Sequence, residues 1–313
     1  MTHSGKSIRP DLSIVVPFYN EVENAERLWL ALKAALEGTE KTYEVLFVDD
    51  GSTDGTREVL RRLARDNEQV RVILFRSNFG QSAAMAAGFE GTRGEIIVAM
   101  DGDLQNDPGD IPLLLEKLNG GFDVVSGWRK NRQDKLLARK IPSRIANRII
   151  CSVTDVKLHD TGCSLKAFRG DLLRRISLYG EMHRFIPALT RMEGAKIAEV
   201  PVTHHARRFG TSKYNLSRTF RVIMDLLTIR LLMKHLQNPL GFFGSFSLLF
   251  FLGGAVSLAQ SLVMVLRYNV ELAEINVLVT LTVLLWASAF QFFFLGLVAK
   301  LIVNSGTRKF FKV

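Results

Sequence analysis

The chain has 313 residues, a net charge of +10 and 47% hydrophobic residues, which leaves room for one large domain and one smaller one. Its two cysteines, Cys151 and Cys163, exclude a disulfide-rich or zinc-ribbon framework. The basic residues cluster from Arg129 to Lys234, beside the most apolar part of the chain. This position indicates a membrane surface and a phosphorylated substrate, and argues against nucleic acid.

Apolar strands and helical patterns alternate over the first 126 residues. Strands are predicted at Leu12–Pro17, Tyr43–Val48, Val70–Phe75, Glu95–Met100 and Asp123–Ser126. Helices are predicted between them at Val22–Leu36, Thr56–Asn67, Gln81–Gly91 and Ile111–Leu118. The alternation predicts an α/β fold with a mainly parallel sheet covered by helices on both faces. Such sheets bind ligands at the carboxyl ends of their strands, where three polar motifs fall: Pro17–Glu21, Asp49–Asp54 and Asp101–Gln105.

The first two of these motifs suit a nucleoside. Pro17–Glu21 forms an extended lip that could frame a nucleobase, and the carboxylates of Asp49 and Asp50 could accept hydrogen bonds from a base and a ribose. Turn chemistry would explain the second segment equally well, with a helix N-cap supplied by Ser52, Thr53 or Asp54. The two interpretations are compatible.

The third motif, Asp101-Gly102-Asp103, suits a divalent metal ion. Two carboxylates separated by one glycine on an extended segment can approach the same hard cation. Mg²⁺ or Mn²⁺ bound in this way also takes diphosphate oxygens as ligands and neutralises a departing nucleotide diphosphate. Two exposed loop aspartates would look alike, but the position at a strand end favours a metal site formed by Asp101 and Asp103.

Beyond residue 126 the pattern loosens, and two basic amphipathic helices are predicted. Leu136–Val153 has an isoleucine-rich stripe flanked by arginines, and Leu216–Leu236 leads into the apolar part of the chain. Both suit a position at the membrane interface. Core-packed helices with a basic solvated face would have similar sequences.

Two uncharged stretches, Leu240–Leu266 and Ile275–Ala299, each exceed the roughly 20 residues that a helix needs to cross a bilayer. Two buried helices of a soluble core are the alternative. The loop between the stretches has little positive charge, whereas lysines and arginines flank both outer ends, so both termini are expected in the cytoplasm. The amino terminus lacks the apolar region of a signal peptide. We therefore predict a multi-pass protein of the inner (plasma) membrane with a cytoplasmic catalytic domain.

Together, these motifs resemble family 2 glycosyltransferases with the GT-A fold. The resemblance rests on LSIVVPFYNE (Leu12–Glu21), VDDGSTDGT (Val48–Thr56), NFGQSAAMAAG (Asn78–Gly88) and DGDLQNDP (Asp101–Pro108). Three later segments resemble the polyprenyl-phosphate branch of that family: DTGCSLKAFR (Asp160–Arg169), GEMHRFIPAL (Gly180–Leu189) and RRFGTSKYNL (Arg207–Leu216). The resemblance covers nearly the whole chain, including a two-span anchor.

The resemblance implies a role for each matching residue. The nucleoside pocket would be lined by Pro17, Tyr19, Glu21, Asp49 and Asp50. Asp101 and Asp103 would hold Mg²⁺ or Mn²⁺ on the diphosphate, with Gln105 nearby. Basic residues would face the phosphates of donor and acceptor, because an arginine fork can grip phosphate oxygens with two hydrogen bonds: Arg129, Arg184, Arg207, Arg208 and Lys213. Catalytic roles would fall to Asp103, Asp160 and Arg207. A solvated basic face is the alternative for the segment from Arg207 to Lys213.

Asp160 is open to three interpretations. A lipid phosphate has its second pKa near 6 and is mostly dianionic near pH 7, so a general base would add little. Asp160 could position the acceptor or a basic side chain, act as a base, or be a structural turn residue. Some members of the branch have their acidic residue three positions later, where this chain has Cys163. That difference weighs against a role as base.

The predicted reaction transfers a sugar from a nucleotide-sugar to polyprenyl phosphate with inversion, for use in cell-envelope glycan or lipid modification. UDP is preferred over GDP because bacterial members of the branch often use it. The predicted parts are a catalytic domain (1–214), a juxtamembrane helix (215–238) and an anchor (239–313) with spans at about 240–266 and 275–303. Glutamines within the spans leave a homo-oligomer open. The sequence does not indicate which sugar is transferred.

Three other functions fit the sequence less well. A family 2 transferase acting on a polysaccharide or glycolipid acceptor is the alternative within enzymes, although the Q-x-x-R-W motif of processive synthases does not occur. A membrane scaffold that only binds nucleotide-sugar would not need the intact acidic motifs. A dinucleotide-dependent oxidoreductase is disfavoured because no G-x-G-x-x-G follows the first strand.

Overall fold

The computed structural model describes residues 9–130, 151, 156, 158–176, 178, 182–206, 238–268, 271 and 274–307. The chain divides into two compact units, Met1–Leu226 and Leu227–Val313. The predicted helix Leu216–Leu236, nearly all of Leu136–Val153, and the residues Arg207, Arg208 and Lys213 lie outside the described part. The side chain of Arg184 also lies outside it. The predicted domain boundaries at residues 214 and 238 therefore remain predictions.

The first unit is built on a seven-stranded sheet in the order β3-β2-β1-β4-β6-β5-β7. The strands are β1 (Leu12–Phe18), β2 (Tyr43–Asp49), β3 (Val70–Leu74), β4 (Ile96–Ala99), β5 (Val124–Trp128), β6 (Lys166–Arg169) and β7 (Ile197–Pro201). All neighbouring pairs are parallel except those that β6 makes with β4 and β5. The polar ends of β1, β2 and β4 consequently lie at one edge of the sheet.

Helices cover both faces of this sheet. They are α1 (Val22–Glu37), α2 (Thr56–Asp66), α3 (Gln81–Gly91), α4 (Ile111–Asn119), α5 (Gly170–Leu173) and α6 (Ile186–Met192). Successive side chains of a strand point to opposite faces, so Ile14 and Val16 pack into a core with α1 and α4. Val15 between them packs into a second core with α3 and α6. The two cores hold the strand ends, and therefore the polar edge, in fixed register.

The five strands and four helices predicted from the sequence are confirmed, with ends that differ by no more than two residues. The mainly parallel sheet is also confirmed. Strands β6 and β7 were not predicted. β6 has four residues, KAFR, with charges at both ends, so it lacks the apolar run by which a central strand is recognised. Its lysine, Lys166, is nevertheless buried within the sheet.

The second unit is a pair of apolar helices, α7 (Pro239–Tyr268) and α8 (Asn276–Thr307). Two segments, Pro239–Tyr268 and Asn276–Val303, are long and apolar enough to cross a membrane, and only 17% and 11% of their most apolar windows are buried. Such high exposure is unlike the core helix of a soluble protein, in which most of the surface is covered by other elements. The two predicted spans are thus present as helices.

Small polar side chains join the two helices. The Ser257 hydroxyl donates to the Leu278 carbonyl at 3.1 Å, and the Thr282 hydroxyl donates to Ser257 at 2.9 Å. Gly254 packs against Trp286 so closely that an added Cβ would lie 2.4 Å from the indole ring. Close approach through small residues is typical of helix pairs in membranes. Gln260 and Gln291, by contrast, are exposed on the surface of this pair.

Candidate active site

The Asp-Gly-Asp motif lies at the carboxyl end of β4, in a tightly constrained backbone. A Cβ on Gly102 would lie 2.7 Å from the ring of Phe18, the last residue of β1. Leu104 has a φ of 57°, a left-handed backbone conformation that residues other than glycine rarely adopt. Backbone strain of this kind is concentrated at functional sites. The geometry turns the chain sharply immediately after Asp103.

Asp101 is held by hydrogen bonds inside this edge. The side-chain amide of Gln81 donates to Asp101 Oδ1 at 2.6 Å. Burial raises the pKa of Asp101 above its usual range, and the nearby charge of Asp103 raises it further, while a hydrogen bond from Ser164 opposes the rise. A carboxylate in this condition is stabilised by an added cation.

Asp103 is buried, with 7% of its surface exposed, and its Oδ1 accepts the backbone N–H of Gln105 at 3.1 Å. Within the described residues, no group of three or more His, Cys, Asp or Glu side chains could hold a metal ion. Asp101 and Asp103 alone fit Mg²⁺ or Mn²⁺, since Mg²⁺ in phosphate chemistry is bound by one or two carboxylates, waters and substrate oxygens.

Asp49 and Asp50, at the end of β2, are both engaged by protein groups. The guanidinium of Arg57 donates to Asp49 Oδ2 from Nε at 3.1 Å and from Nη2 at 3.0 Å. Asp50 accepts the backbone N–H groups of Phe79 at 2.7 Å and Gly80 at 2.9 Å. Both aspartates are fully or almost fully buried. These hydrogen bonds support a structural role for both aspartates in the turn after β2. Contact of either aspartate with a base or ribose remains a prediction.

The lip after β1 is joined to the segment after β2. The Asn20 N–H donates to the Ser52 hydroxyl at 2.9 Å, and the Thr53 N–H donates back to Asn20 Oδ1 at 2.8 Å. The Glu21 N–H donates to the Thr56 hydroxyl at 2.9 Å. Pro17 and Tyr19 are half-buried on the same lip. The predicted nucleoside frame is therefore a single braced unit.

The predicted N-cap of α2 was wrong. Gly55 occupies that position with a φ of 96°. Asp54 instead accepts the Val22 N–H at 3.2 Å and the Thr56 N–H at 3.0 Å. The positive φ favours glycine at the N-cap position. The Asp54 side chain, which lies before the cap, links α2 to the start of α1.

Arg129 and Asp160 form a bidentate ion pair. Arg129 Nε lies 2.7 Å from Asp160 Oδ2, and Nη2 lies 2.9 Å from Oδ1. Each side chain is only 13% exposed. Burial alone would lower the pKa of Arg129, but the hydrogen bonds and charge of Asp160 raise it above its ordinary value. Because Asp160 stabilises a neighbouring cation, the geometry favours the positioning interpretation over that of a base.

The segment that contains Asp160 is held from two sides. The Asp160 N–H donates to Glu199 Oε1 at 2.9 Å, and His159 Nδ1 lies 2.8 Å from Glu199 Oε2. The His159 ring stacks on Trp128, with 4.4 Å between the ring centroids. These contacts join the turn to β5 and β7, and they fix the carboxylate opposite Arg129.

Cys163 cannot replace the acidic residue that some members of the branch have at its position. It is fully buried, and burial raises the pKa of its thiol to about 11. Its Sγ lies 3.6 Å from Asn106 Oδ1, and Lys166 Nζ donates to its carbonyl. The thiol is neutral near pH 7, so it has no role as a base.

The sequence predicted no site role for Gln81, which contacts Asp101, or for the neighbouring pair of Ser82 and His183. Gln81 bonds Asp101, and Ser82 lies 2.8 Å from His183 Nδ1. Arg129, which is paired with Asp160, lies close enough to Asp101 for its charge to lower the pKa of that carboxyl, so Asp101, Asp103, Arg129 and Asp160 lie at one edge. Gln81 and Ser82 lie in the segment Asn78–Gly88, and His183 lies in the segment Gly180–Leu189. Both segments carry the family resemblance, but the contacts of these three side chains depend on the tertiary fold.

Comparison with known proteins identifies the family of this chain. The glycosyl transferase family 2 model matches residues 13–177. A dodecaprenyl-phosphate galacturonate synthase of Rhizobium johnstonii is 42% identical over 303 residues, which cover 94% of this chain and 88% of that protein. An undecaprenyl-phosphate 4-deoxy-4-formamido-L-arabinose transferase of Salmonella enteritidis is 39% identical over 69% of this chain and 66% of its own length.

Solved structures show the same fold. Glucosyl-3-phosphoglycerate synthase of Mycobacterium tuberculosis, in complex with phosphoglyceric acid, has a TM-score of 0.54 and 20% identity over 72% of this chain and 80% of its own. S. aureus TarS 1–349 in complex with UDP-GlcNAc has a TM-score of 0.52 and 20% identity over 71% and 66%. The family match and the long, 42% identical relative go further than the fold, and this chain therefore belongs to glycosyltransferase family 2 and is a glycosyltransferase.

Proposed function

We propose that this glycosyltransferase moves a sugar from a UDP-sugar to a polyprenyl phosphate and inverts the anomeric carbon. The observation that carries the proposal is the presence in one chain of Asp101 and Asp103 at a strand end and of two apolar helices long enough to span a membrane. The first feature suits a nucleotide diphosphate, and the second suits a lipid acceptor. The names of the two bacterial relatives, which act on dodecaprenyl and undecaprenyl phosphate, support the same acceptor.

The acidic edge would bind the donor. Asp101 and Asp103 would hold Mg²⁺ or Mn²⁺, which would neutralise the charge on the departing diphosphate. Pro17, Tyr19 and Glu21 would contact the nucleoside along the braced lip. Asp49 and Asp50 would keep the neighbouring loops in place, with a direct ligand contact as their further predicted role.

The acceptor needs little help to become a nucleophile. Its phosphate is mostly dianionic near pH 7, so its oxygen can attack the anomeric carbon directly. The bond from that carbon to the diphosphate oxygen breaks, and UDP leaves with the electron pair. No proton has to be removed from the attacking oxygen. Positioning and electrostatics then supply most of the rate.

Arg129 is the described basic residue best placed to bind a phosphate. Its two side-chain bonds to Asp160 use two of the five guanidinium N–H donors. The pair keeps the fork rigid, as a bidentate phosphate contact requires. Asp160 would therefore act through Arg129. We assign further phosphate contacts to Arg184, Arg207, Arg208 and Lys213 as predictions from the resemblance.

We propose that α7 and α8 anchor the chain in the inner membrane with the catalytic unit in the cytoplasm. Lys300 near the end of α8 and the basic residues that precede α7 in the sequence agree with that orientation. A dianionic acceptor whose tail lies in the bilayer would then reach a site on the same side as the soluble donor.

The test is sugar transfer by the full chain in detergent. Undecaprenyl phosphate would be incubated with labelled UDP- and GDP-sugars, with Mg²⁺ or Mn²⁺ and with EDTA as control. UDP-galacturonate is the first donor to try, because the Rhizobium johnstonii relative, which matches 94% of this chain, is named for galacturonate. Label should enter the organic phase from one UDP-sugar and vanish with EDTA. Transfer only to a glycolipid or a polysaccharide would favour the alternative acceptor.

A further inference from the structure

The first residue of α3 contacts one of the two metal-ligand candidates. Gln81 Nε2 donates to Asp101 Oδ1 at 2.6 Å, a short bond of the kind that a charged acceptor makes. Gln81 is half-buried, and it belongs to a different element from Asp101, 20 positions earlier in the chain. The bond therefore fixes a side-chain orientation that the backbone of β4 does not determine by itself.

The position of Gln81 is in turn fixed from β2. Asp50 Oδ1 accepts the Phe79 N–H at 2.7 Å, and Oδ2 accepts the Gly80 N–H at 2.9 Å and Asn78 Nδ2 at 3.0 Å. Gly80, with a φ of 93°, turns the chain into α3. Buried Asp50 thus places the start of α3 against the end of β4.

We propose that Gln81 is a positioning residue that holds Oδ1 of Asp101 and thereby orients this carboxylate toward the metal ion. This inference rests on the proposed function, because it presumes a divalent cation between Asp101 and the donor diphosphate. A carboxylate held in one orientation would suit Mg²⁺, which demands near-octahedral geometry and retains waters and substrate oxygens. Residues that orient metal ligands in this way typically change metal affinity by about 10- to 100-fold when they are removed.

The competing explanation is that Gln81 only stabilises the start of α3. Ser82 tests this, because it lies on the same turn and makes its contacts with His183, to Nδ1 at 2.8 Å and from the backbone N–H at 3.2 Å. Loss of the Ser82 hydroxyl would weaken the same helix start without touching Asp101. The two neighbours separate an effect on the helix from an effect on the carboxylate.

The experiment measures Mn²⁺ binding by electron paramagnetic resonance in the full chain in detergent, with UDP and, in a second arm, GDP. Gln81→Met keeps the volume and removes the donor, and Gln81→Ala is the second variant should the thioether disturb folding. Ser82→Ala is the neighbouring control, and Gln69→Met replaces an exposed glutamine at the other edge of the sheet. Thermal melts of each variant check the fold.

We expect both Gln81 variants to bind Mn²⁺ at least tenfold more weakly, with melting temperatures near that of the wild type. In transfer assays, most of kcat should return at high Mn²⁺, so that the loss falls on the apparent KM for the metal. Ser82→Ala and Gln69→Met should bind Mn²⁺ as the wild type does.

Wild-type Mn²⁺ affinity in the Gln81 variants would overturn the inference. An equal loss in Ser82→Ala would also do so, because the effect would then belong to the helix. Absence of Mn²⁺ binding to the wild type with either nucleotide would overturn both this inference and the metal assignment. The measurement needs no acceptor, so a failure of lipid transfer alone would leave the role of Gln81 intact.

Discussion

Each of the two edges of the sheet holds a carboxylate, but one carboxylate is surrounded by positively charged donors and the other lies beside a second carboxylate. At the amino-end edge, Glu44 is 3% exposed and is surrounded by donors: the Ser13 hydroxyl at 2.7 Å, the Arg93 N–H at 2.7 Å, and the guanidinium groups of Arg71 and Arg93 at 2.9–3.0 Å. Burial opposes its ionisation, but these hydrogen bonds hold the pKa of Glu44 below its usual range.

At the carboxyl-end edge, Asp101 has a second carboxylate beside it, and its pKa is raised by burial and by Asp103. A carboxylate matched by arginines contributes to the stability of the fold. Two neighbouring carboxylates with little access to solvent repel each other and cost stability unless a cation binds. Electrostatic imbalance, and not the burial of charge as such, therefore distinguishes the candidate active site from the opposite edge of the sheet.

The largest effect is expected from Asp103→Asn. It removes one charge from the acidic pair, so transfer should fall about 10³-fold, in line with the several kcal/mol that a catalytic metal supplies. The fold should be retained, because mutual repulsion with Asp101 is relieved. Steady-state kinetics and thermal melts of the purified protein would measure both quantities. Near-normal transfer by this variant would show that the metal assignment is wrong.

A smaller loss, about 10²-fold in kcat/KM, is expected from Asp160→Asn and from Arg129→Ala. If Asp160 acts through Arg129, the double variant should lose no more than either single variant, which a double-mutant cycle would detect. The acid limb of the pH profile should persist in Asp160→Asn, since it reflects the acceptor phosphate with its pKa near 6. Disappearance of that limb would identify Asp160 as the base.

At the opposite edge, substitution of Glu44 should lower the stability of the fold without lowering sugar transfer. Glu44→Gln should lower the free energy of unfolding by about 2 kcal/mol, because charged donors lose their acceptor. Since the pKa of Glu44 is lowered in the folded state, its contribution is complete above about pH 4.3 and is lost as the pH falls through the folded value. Thermal melts of wild type and Glu44→Gln, followed from pH 7 down to about pH 2, should therefore converge only as the pH falls below the folded-state pKa of Glu44.

The matched control is Glu37→Gln. Glu37 pairs with Lys33 at 3.8 Å on an exposed helix face, where such pairs contribute little. Equal melting temperatures of Glu44→Gln and Glu37→Gln at pH 7 would contradict the contrast between the two edges.

The smallest effect is expected in the helical pair. Ser257→Ala removes the hydroxyl that joins α7 to the Leu278 carbonyl and to Thr282, and interhelical bonds of this kind average about 0.6 kcal/mol. Ser245→Ala, which removes only a bond within α7, is the control. In detergent, the free energy of unfolding should be lower for Ser257→Ala than for Ser245→Ala. The opposite order would show that the interhelical hydrogen bond contributes no stability.

Much of this architecture could be predicted because it depends on local patterns. The strands β1–β4 are apolar runs, their helices have clear periodicity, and Asp101 and Asp103 follow a strand directly. Long-range pairing escaped prediction. The sequence of β6 is only four residues long and carries no apolar run. It therefore did not indicate that this strand pairs antiparallel with both β4 and β5.

The site shows the same division. The aspartates were found from their spacing, whereas their partners depend on tertiary contacts across 20 to 31 positions, as in Gln81 with Asp101 and Arg129 with Asp160. Asp49 and Asp50 have the composition of ligand residues, yet the fold engages both in structural hydrogen bonds. Composition indicates which groups are present, and only packing decides which partners they meet.

The most direct test of the central claim uses a doubly labelled donor, with ¹⁴C in the sugar and ³²P in the β-phosphate of UDP. If the lipid phosphate attacks the anomeric carbon, ¹⁴C alone enters the lipid phase and all ³²P remains in UDP. The product is then a polyprenyl-monophosphate sugar. Joint appearance of ¹⁴C and ³²P in the lipid would mean that a phosphosugar is transferred, and would contradict the proposed reaction.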